Sequence, residues 1–263
     1  MPDDGAGGTI GGMDLGLTDR VYVLTGASKG LGFATAQSLV ADGAKVVISS
    51  RSPESVDAAV AELGDGAAGV AADLTDPATP ELLVRTARAR FGRLDGALVS
   101  VGGPSHGSAA QLTDDQWREA FETVFLGSVR AMRTFAAELG EGGAIGVVLS
   151  TSTRTPIPGL GLSNGLRPGL AGVAKDLADE HGPRGVRVVS LLPGRVLTDR
   201  NRELFAATGD AEAAEAAATA SIPLRRLGGP EEFGRVAAFV LSPAAGYLTG
   251  LTLPVDGGAL RTL

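Results

Sequence analysis

The chain has 263 residues, of which 44% are hydrophobic and 20% are charged, and it contains 39 glycines and no cysteine. This composition predicts a globular chain with a full-sized core and excludes disulfides and thiolate chemistry. A net charge of -7 repels nucleic acids and anionic membranes, so we expect a small-molecule ligand. Without cysteine the chain has no thiolate ligands for structural zinc, and we expect no metal site. No membrane-length apolar run and no signal peptide is present, which favours a cytoplasmic location.

Short β-branched runs alternate with Ala-rich amphipathic stretches along most of the chain. Strands are predicted at 21–26, 45–50, 69–73, 96–101, 145–150, 186–192 and 251–256. Helices are predicted at 30–41, 54–63, 78–91, 114–139, 164–181 and 230–241. This alternation predicts an α/β fold, a single-domain Rossmann-type doubly wound parallel sheet of about seven strands with helices on both faces.

Two segments do not follow this alternation. Residues 1–12 are Gly-rich and acidic, and we predict a disordered extension there, ahead of one domain over 13–263. Residues 199–222 are Ala-rich and polar and lie between two predicted strands. They are interpreted either as a mobile helical flap over a site or as a surface helix pair without such a role.

The first predicted strand ends in the glycine-rich loop TGASKGLG, and a helix follows it directly. In such a strand-to-helix loop the backbone can approach a pyrophosphate, and the helix N-terminus offers free N–H groups. We expect Gly26 to make the turn, Gly30 to allow the approach and Gly32 to allow close packing. The loop differs from G-x-G-x-x-G and from the nucleotide-triphosphate loop, so it does not identify the ligand alone.

The loop resembles the TGxxxGxG signature of the short-chain dehydrogenase/reductase family, and the resemblance extends over 13–258. Asp73 resembles the acidic residue on the adenine side, and Pro193, Gly194 and Thr198 resemble the PGxxxT segment that holds the nicotinamide carboxamide. The resemblance implies a dinucleotide-binding domain. It also implies the following further cofactor contacts: Ser28, Lys29, Leu31, Leu74 and Gly102.

The position about 20 residues beyond the loop indicates which cofactor is preferred. A fold that prefers NAD places a carboxylate there to bind the ribose hydroxyls, whereas this chain has Ser50 and Arg51. Arg51 and Lys29 can pair with a 2′-phosphate, which predicts NADP(H). The alternative is that both are solvated surface cations.

The catalytic positions depart from the family pattern. The resemblance aligns Ser150 with the family's catalytic serine, but Ser163 stands at the tyrosine position and Arg167 at the lysine position. Val124 stands where asparagine is usual. A serine hydroxyl titrates far too high to replace a phenol, and arginine keeps its proton, so the proton must come from another group.

Three roles remain open for these residues. His106, beyond the fourth predicted strand, is a candidate proton donor, although a lone loop histidine is often only solvated. Ser150 and Ser163 could donate hydrogen bonds to a carbonyl oxygen, and Arg167 could bind the nicotinamide ribose or an acidic substrate. The chain also resembles an atypical subgroup with SNxxR in place of YxxxK, whose members are similar to 3-oxoacyl-carrier-protein reductases.

These features predict an NADP(H)-dependent oxidoreductase acting on a carbonyl/alcohol pair in a small or acyl-thioester substrate. The alternative is a catalytically impaired NADP(H)-binding sensor or partner subunit. The pattern Gly161-Leu-Ser163-Asn-Gly165 fits a hydrolase elbow, but no strand precedes it.

The resemblance also implies a homotetramer or homodimer that pairs the helices at 114–139 and 164–181. An apolar stripe on the first of these helices could belong either to a subunit interface or to the core. Its members are Val129, Met132, Phe135 and Leu139.

Overall fold

The computed structural model describes residues 14–206 and 209–262, so the predicted extension at 1–12 lies outside the described residues. Seven parallel strands form one sheet in the order β3-β2-β1-β4-β5-β6-β7. They are β1 Val21–Leu24, β2 Lys45–Ser50, β3 Ala67–Ala71, β4 Gly96–Val99, β5 Ala144–Val148, β6 Arg187–Pro193 and β7 Thr252–Val255. The predicted α/β fold with a doubly wound parallel sheet is therefore confirmed.

Helices connect the strands and cover both faces of the sheet. They are α1 Gly30–Ala41, α2 Pro53–Leu63, α3 Thr79–Phe91, α4 Asp114–Ala120, α5 Gly127–Glu138, α6 Gly161–His181, α7 Asp199–Ala206, α8 Ala211–Ala220 and α9 Pro230–Leu241. Within the described ranges, none of them has the length and apolarity needed to cross a bilayer.

The hydrophobic core has one layer on each face of the sheet. In β1, Val21 and Val23 face the layer under α3, α5 and α6, while Tyr22 and Leu24 face the layer under α1, α2 and α9. This alternation follows from the two-residue period of a strand. The predicted apolar stripe, on α5 and its C-cap Leu139, belongs to the core, because Met132, Phe135 and Leu139 are at most 1% exposed. Val129 packs against the same layer.

The helix predicted at 114–139 is interrupted. A π-helix spans Phe121–Leu126 between α4 and α5, and the rings of Phe121 and Phe125 stack with their centroids 5.2 Å apart. At the start of α5, a Cβ on Gly127 would lie 2.9 Å from the carbonyl oxygen of Leu74. The wider turn and the glycine together let this helix pass close to the loop after β3.

The α6 helix begins at Gly161, earlier than the predicted 164, because the loop after β4 pairs with its first residue. The Gly107 N–H donates to the Gly159 carbonyl at 2.9 Å, and the Gly161 N–H donates to the Gly107 carbonyl at 2.9 Å. The ring of Trp117 in α4 covers the next turn of α6, where a Cβ on Gly165 would lie 2.7 Å from Cη2. These contacts join the β4 loop and α4 to the N-terminal half of α6.

The segment predicted as a flap contains α7 and α8. Phe205, Ala218, Ile222 and Leu227 form a small buried cluster there, separate from the two core layers. The movement of residues 199–222 stays a prediction.

Asp95 joins β1 and β4 at the amino end of the sheet. Its carboxylate is 8% exposed and accepts the Val21 N–H at 2.9 Å and two hydrogen bonds from Arg93 at 2.8 and 2.6 Å. Arg20 lies 3.5 Å from the same carboxylate. This arrangement stabilises the strand pair that lies below the candidate site.

Candidate functional site

Two adjoining clefts lie beyond the carboxyl ends of the central strands. The first, here named the β5 cleft, has a volume of about 580 Å³ and extends from the glycine loop to α6. The second, here named the β2 cleft, has a volume of about 470 Å³ and extends from the same loop to the ends of β2 and β3. In open parallel sheets this edge, where the strand order reverses between β1 and β4, is the usual ligand site.

The glycine loop lies between the two clefts. Gly26 and Gly30 have φ values of +56° and +57°, in the left-handed region that favours glycine. A Cβ on Gly32 would lie 2.7 Å from the carbonyl oxygen of Gly26 and 2.8 Å from the Cα of Ala27. A side chain at any of these positions would therefore strain the loop or push it away from α1.

Thr25, which the sequence reasoning did not single out, joins this loop to the one after β4. Its Oγ1 donates to the Ser100 carbonyl at 2.8 Å and accepts the Ser100 N–H at 2.9 Å. Because Thr25 is fully buried, this pair of bonds keeps the two loops in a constant relative position. The signal was available in the sequence, since Thr25 belongs to the TG motif.

The N-terminus of α1 opens toward the clefts. Lys29 is its N-cap residue, and no side chain caps the helix and no acidic residue stands in its first turn. The N–H groups of the first turn therefore remain available, and the helix dipole favours an anion there. These are the groups that hold a pyrophosphate at the start of such a helix, so this N-terminus fits a dinucleotide.

The β2 cleft contains two exposed cations, Lys29 and Arg51, together with Ser28 and Ser50. Asp73 lies on the side of β3, and its carboxylate accepts the Thr75 N–H at 2.9 Å. The end of β2 carries no carboxylate, so a phosphate beside Arg51 meets no negative charge from that strand. The two cations therefore favour an anionic group, such as a phosphate, in this cleft.

The β5 cleft brings together all the side chains considered for catalysis, Ser150, Ser163, Arg167 and His106. Ser150 follows β5, Ser163 and Arg167 lie one turn apart in α6, and His106 is in the exposed loop paired with α6. Arg167 is 5% exposed, and its Nη1 donates to the carbonyl oxygen of Val148 at 2.6 Å. The guanidinium is therefore anchored to the end of β5, at the base of the cleft.

Ser152 connects the two serines of this cleft and was missed by the sequence reasoning. Its backbone N–H donates to Ser150 Oγ at 3.1 Å, and its own Oγ lies 2.9 Å from Ser163 Oγ. Asn164, next to Ser163, holds the segment that leads into α6. Its side-chain Oδ1 accepts the Ile157 N–H at 3.0 Å, and its Nδ2 donates to the Ile157 carbonyl at 2.9 Å. Short polar side chains thus support Ser150 and Ser163 from behind the cleft that these two serines border.

The two tyrosines of the chain lie away from both clefts. Tyr22 is fully buried in β1, where its hydroxyl donates to the Leu241 carbonyl at 3.4 Å and burial raises its pKa to about 12. Tyr247 is fully exposed. Val124 is buried in the π-helix and borders the β2 cleft, where its carbonyl accepts the Ser128 hydroxyl at 2.7 Å. Within the described ranges, no phenol reaches the site.

Each residue predicted from the sequence to contact a cofactor borders one of the clefts. The β5 cleft is lined by Gly26, Lys29, Gly30, Leu31, Gly32, Gly102, Pro193, Gly194 and Thr198. The β2 cleft is lined by Ser28, Arg51, Asp73 and Leu74, and it shares Gly26, Lys29 and Gly102 with the first. The two clefts therefore adjoin along the glycine loop and the loop after β4.

Comparisons with known proteins agree with this architecture. A family model described as enoyl-(acyl carrier protein) reductase matches residues 26–259. The chain is 34% identical to 3-oxoacyl-(acyl-carrier-protein) reductase of Salmonella typhimurium over 246 residues, which cover 91% of this chain and 96% of that protein.

Two solved structures have the same fold. L-Sorbose reductase of Gluconobacter frateurii, complexed with NADPH and L-sorbose, has a TM-score of 0.90 and 27% identity, covering 95% of this chain and 100% of that chain. A short-chain oxidoreductase of Pseudomonas aeruginosa, described as containing an atypical catalytic center, has a TM-score of 0.87 and 29% identity, covering 94% and 99%. Together with the family match, these likenesses show that the chain belongs to the short-chain dehydrogenase/reductase family.

Proposed function

We propose that this protein is an NADP(H)-dependent oxidoreductase that interconverts a carbonyl and an alcohol on a small or acyl-thioester substrate. The observation that carries the proposal is the pair of adjoining clefts at the uncapped N-terminus of α1. Lys29 borders both clefts, Arg51 borders the β2 cleft, and Ser150, Ser163 and Arg167 border the β5 cleft. The reductase relatives and the NADPH-bound sorbose reductase support it.

Different residues of the two clefts would hold different parts of the cofactor. The first-turn N–H groups of α1 would hold the pyrophosphate, Lys29 and Arg51 the 2′-phosphate, and Thr198 the carboxamide. When bound, the reduced nicotinamide supplies the hydride. Ser150 and Ser163 would donate hydrogen bonds to the substrate oxygen, which becomes more negative as hydride arrives. Arg167, held by Val148, would stabilise that charge or bind the nicotinamide ribose.

His106 is the candidate source of the proton, because it borders the same cleft and is exposed to solvent. If it donates the proton, removing the imidazole slows proton delivery, so His106→Gln should lower kcat for reduction with NADPH affinity unchanged. A kcat that is the same in the variant and in the wild type assigns the proton to solvent instead.

Calorimetric titration with NADPH and, separately, NADH tests the cofactor assignment. We expect tighter binding of NADPH, and a loss of about tenfold or more in NADPH affinity for Arg51→Ala, since hydrogen bonds to charged groups contribute about 1.5–3 kcal/mol. The affinity for NADH should not change. Arg133→Ala, which removes an exposed cation on α5, is the matched control. Equal or tighter NADH binding would contradict the assignment.

Oxidation of NADPH in the presence of acetoacetyl-CoA or L-sorbose tests turnover. We expect reduction of at least one of them, and Ser150→Ala should lower kcat by roughly 10²- to 10³-fold, as typical for the loss of one oxyanion donor. Arg167→Ala should also lower kcat. A cooperative urea unfolding transition like that of the wild type shows that each variant still folds. Unchanged activity in both variants would remove the two residues from the mechanism.

A sensor or partner subunit is the second candidate function, and it is favoured by the absence of a phenol from the described part of the site. A sensor binds NADPH tightly and turns over neither probe. A flap over residues 199–222 favours an enzyme, because a pure sensor has no need to enclose a substrate. We also propose a cytoplasmic homodimer or homotetramer, paired through α4, α5 and α6.

A further inference from the structure

We infer that Ser152 is a positioning residue that turns the hydroxyl proton of Ser163 toward the β5 cleft. This inference rests on the proposed function and identifies how two serines can act together without an ionisable acid. Its basis is the hydrogen-bonded chain Ser150, Ser152 and Ser163.

The hydroxyl of Ser163 lies beside that of Ser152, and either oxygen can be the donor in their 2.9 Å contact. Whether Ser152 or Ser163 is the donor follows from the surroundings of Ser152. Ser152 is 2% exposed, and within the described ranges its hydroxyl has no acceptor besides Ser163 Oγ. A buried hydroxyl proton without an acceptor is unfavourable, so Ser152 donates and Ser163 accepts.

The direction of this bond determines what Ser163 can do. Once Ser163 Oγ accepts from Ser152, its own proton is free to point into the cleft that it borders. The hydroxyl of Ser150 is also an acceptor, because its Oγ accepts the backbone N–H of Ser152. Its own proton therefore also remains available. Ser152 thus uses one backbone and one side-chain donor to aim two hydroxyl protons at a single substrate oxygen.

Without Ser152, Ser163 has an alternative partner. A serine in a helix readily turns its hydroxyl back to the carbonyl three or four residues earlier. For Ser163 in the first turn of α6, these are the carbonyls of Leu160 and Gly159. In Ser152→Ala we therefore expect Ser163 to donate its proton to its own helix and to be lost as a donor to substrate.

A double-mutant cycle measures this coupling, with acetoacetyl-CoA and L-sorbose as the probes. We expect Ser152→Ala to lower kcat by about ten- to a hundredfold, less than the full loss of an oxyanion donor, with NADPH affinity unchanged. In a Ser163→Ala background the same substitution should have no further effect. If the two substitutions lower kcat independently, so that their fold-losses multiply in the double variant, the inference is overturned.

Ser242→Ala is the matched control, because Ser242 is also fully buried and its hydroxyl donates to the Phe239 carbonyl at 2.7 Å. It lies in α9's C-cap, away from both clefts. We expect it to lower stability without lowering kcat.

Crystal structures of the wild type and of Ser152→Ala test the inference independently of turnover. A Ser163 Oγ within hydrogen-bond distance of the Gly159 or Leu160 carbonyl oxygen in the variant supports it, and a Ser163 Oγ that reaches neither oxygen overturns it. If the wild type reduces neither probe, the proposed function fails, whereas the crystallographic comparison still decides the role of Ser152.

Discussion

At the residue scale, Gly32 shows how closely the loop backbone constrains the site. A Cβ there would meet the backbone of Gly26 and Ala27 at less than 3 Å, and backbone atoms cannot move away as a flexible side chain can. We expect Gly32→Ala to lower the free energy of unfolding by about 1–3 kcal/mol and to weaken NADPH binding. Urea denaturation and calorimetry measure the two effects.

Gly182→Ala is the control for this substitution. Gly182 has helical φ and ψ values of -51° and -46°, and a Cβ there meets nothing within 4 Å. Replacing glycine at such a position stabilises a protein by about 0.4–1 kcal/mol, so the two variants should shift stability in opposite directions. An unchanged or increased stability of Gly32→Ala would show that Gly32 is not constrained by its own loop.

The residues of the site differ in how far the sequence could predict them. Ser150, Ser163 and Arg167 were found because each stands at a position of a known motif. Ser152 was missed because its partner is defined by a turn between β5 and α6, and nothing in the serine- and threonine-rich segment marks one hydroxyl as buried. The donor direction between two hydroxyls also depends on burial, which spacing does not predict.

At the element scale, the N-terminus of α9 is closed by Glu232. Its carboxylate accepts two hydrogen bonds from Arg226, both at 2.7 Å, and the Gly229 N–H at 2.8 Å. These hydrogen bonds lower the pKa of Glu232 from an ordinary value of 4.5 to about 2, with the Arg226 bonds as the largest cause. The carboxylate is therefore more stable in the folded chain than in the unfolded chain.

The lowered pKa of Glu232 determines how the free energy of unfolding changes with pH. The stabilisation is complete above the ordinary value of 4.5 and is lost as the pH falls from there toward about 2. We expect Glu232→Gln to lower the urea midpoint at pH 7, and the difference from the wild type to shrink as the pH approaches 3. Glu231→Gln, on the neighbouring exposed carboxylate, is the control. A difference that is constant from pH 7 to 3 would contradict the assignment.

The strand pair β1 and β4 depends on Asp95. Asp95→Ala leaves the Val21 N–H unpaired and removes the partner of Arg93, so we expect a loss of about 2–3 kcal/mol in the free energy of unfolding. Chemical denaturation at pH 7 measures it. Asp115→Ala is the control, because Asp115 makes an exposed ion pair with Arg118 and should contribute little. Similar effects for the two variants would show that burial of Asp95 is unimportant.

Element types were predicted better than element bounds. The helix at 114–139 was predicted as continuous because its apolar period is helical throughout, whereas the π-helix depends on the loop after β3 approaching Gly127. Similarly, α6 begins early because Gly161 pairs with Gly107, a contact between residues far apart in the chain. Local periodicity contains no signal for either contact.

At the scale of the whole molecule, each helical connection joins two parallel strands of one sheet, which explains why the alternation of strands and helices was sufficient to predict the fold class. How copies of the chain assemble depends on their exposed surfaces and not on the fold of the sheet. Phe121 is 43% exposed and borders a surface groove with Trp117 and Leu166, on the helices that the family resemblance assigns to subunit pairing.

We expect Phe121→Asp to reduce the molar mass measured by light scattering toward that of one chain, because a carboxylate in an apolar contact is unfavourable. Leu82→Asp is the control, since Leu82 is exposed to a similar degree, 39%, on α3. Multimers that persist in Phe121→Asp would place the contact on another surface.

The packing of Trp117 against Gly165 gives the molecule an internal optical reporter. It is the chain's only tryptophan, its ring covers the helical turn between Ser163 and Arg167, and the adjacent Gln116 borders the β2 cleft. Tryptophan emits at the wavelengths that a reduced nicotinamide absorbs and an oxidised one does not. Energy transfer from this single indole therefore distinguishes cofactor binding from hydride transfer in one stopped-flow trace, without any label attached to the protein.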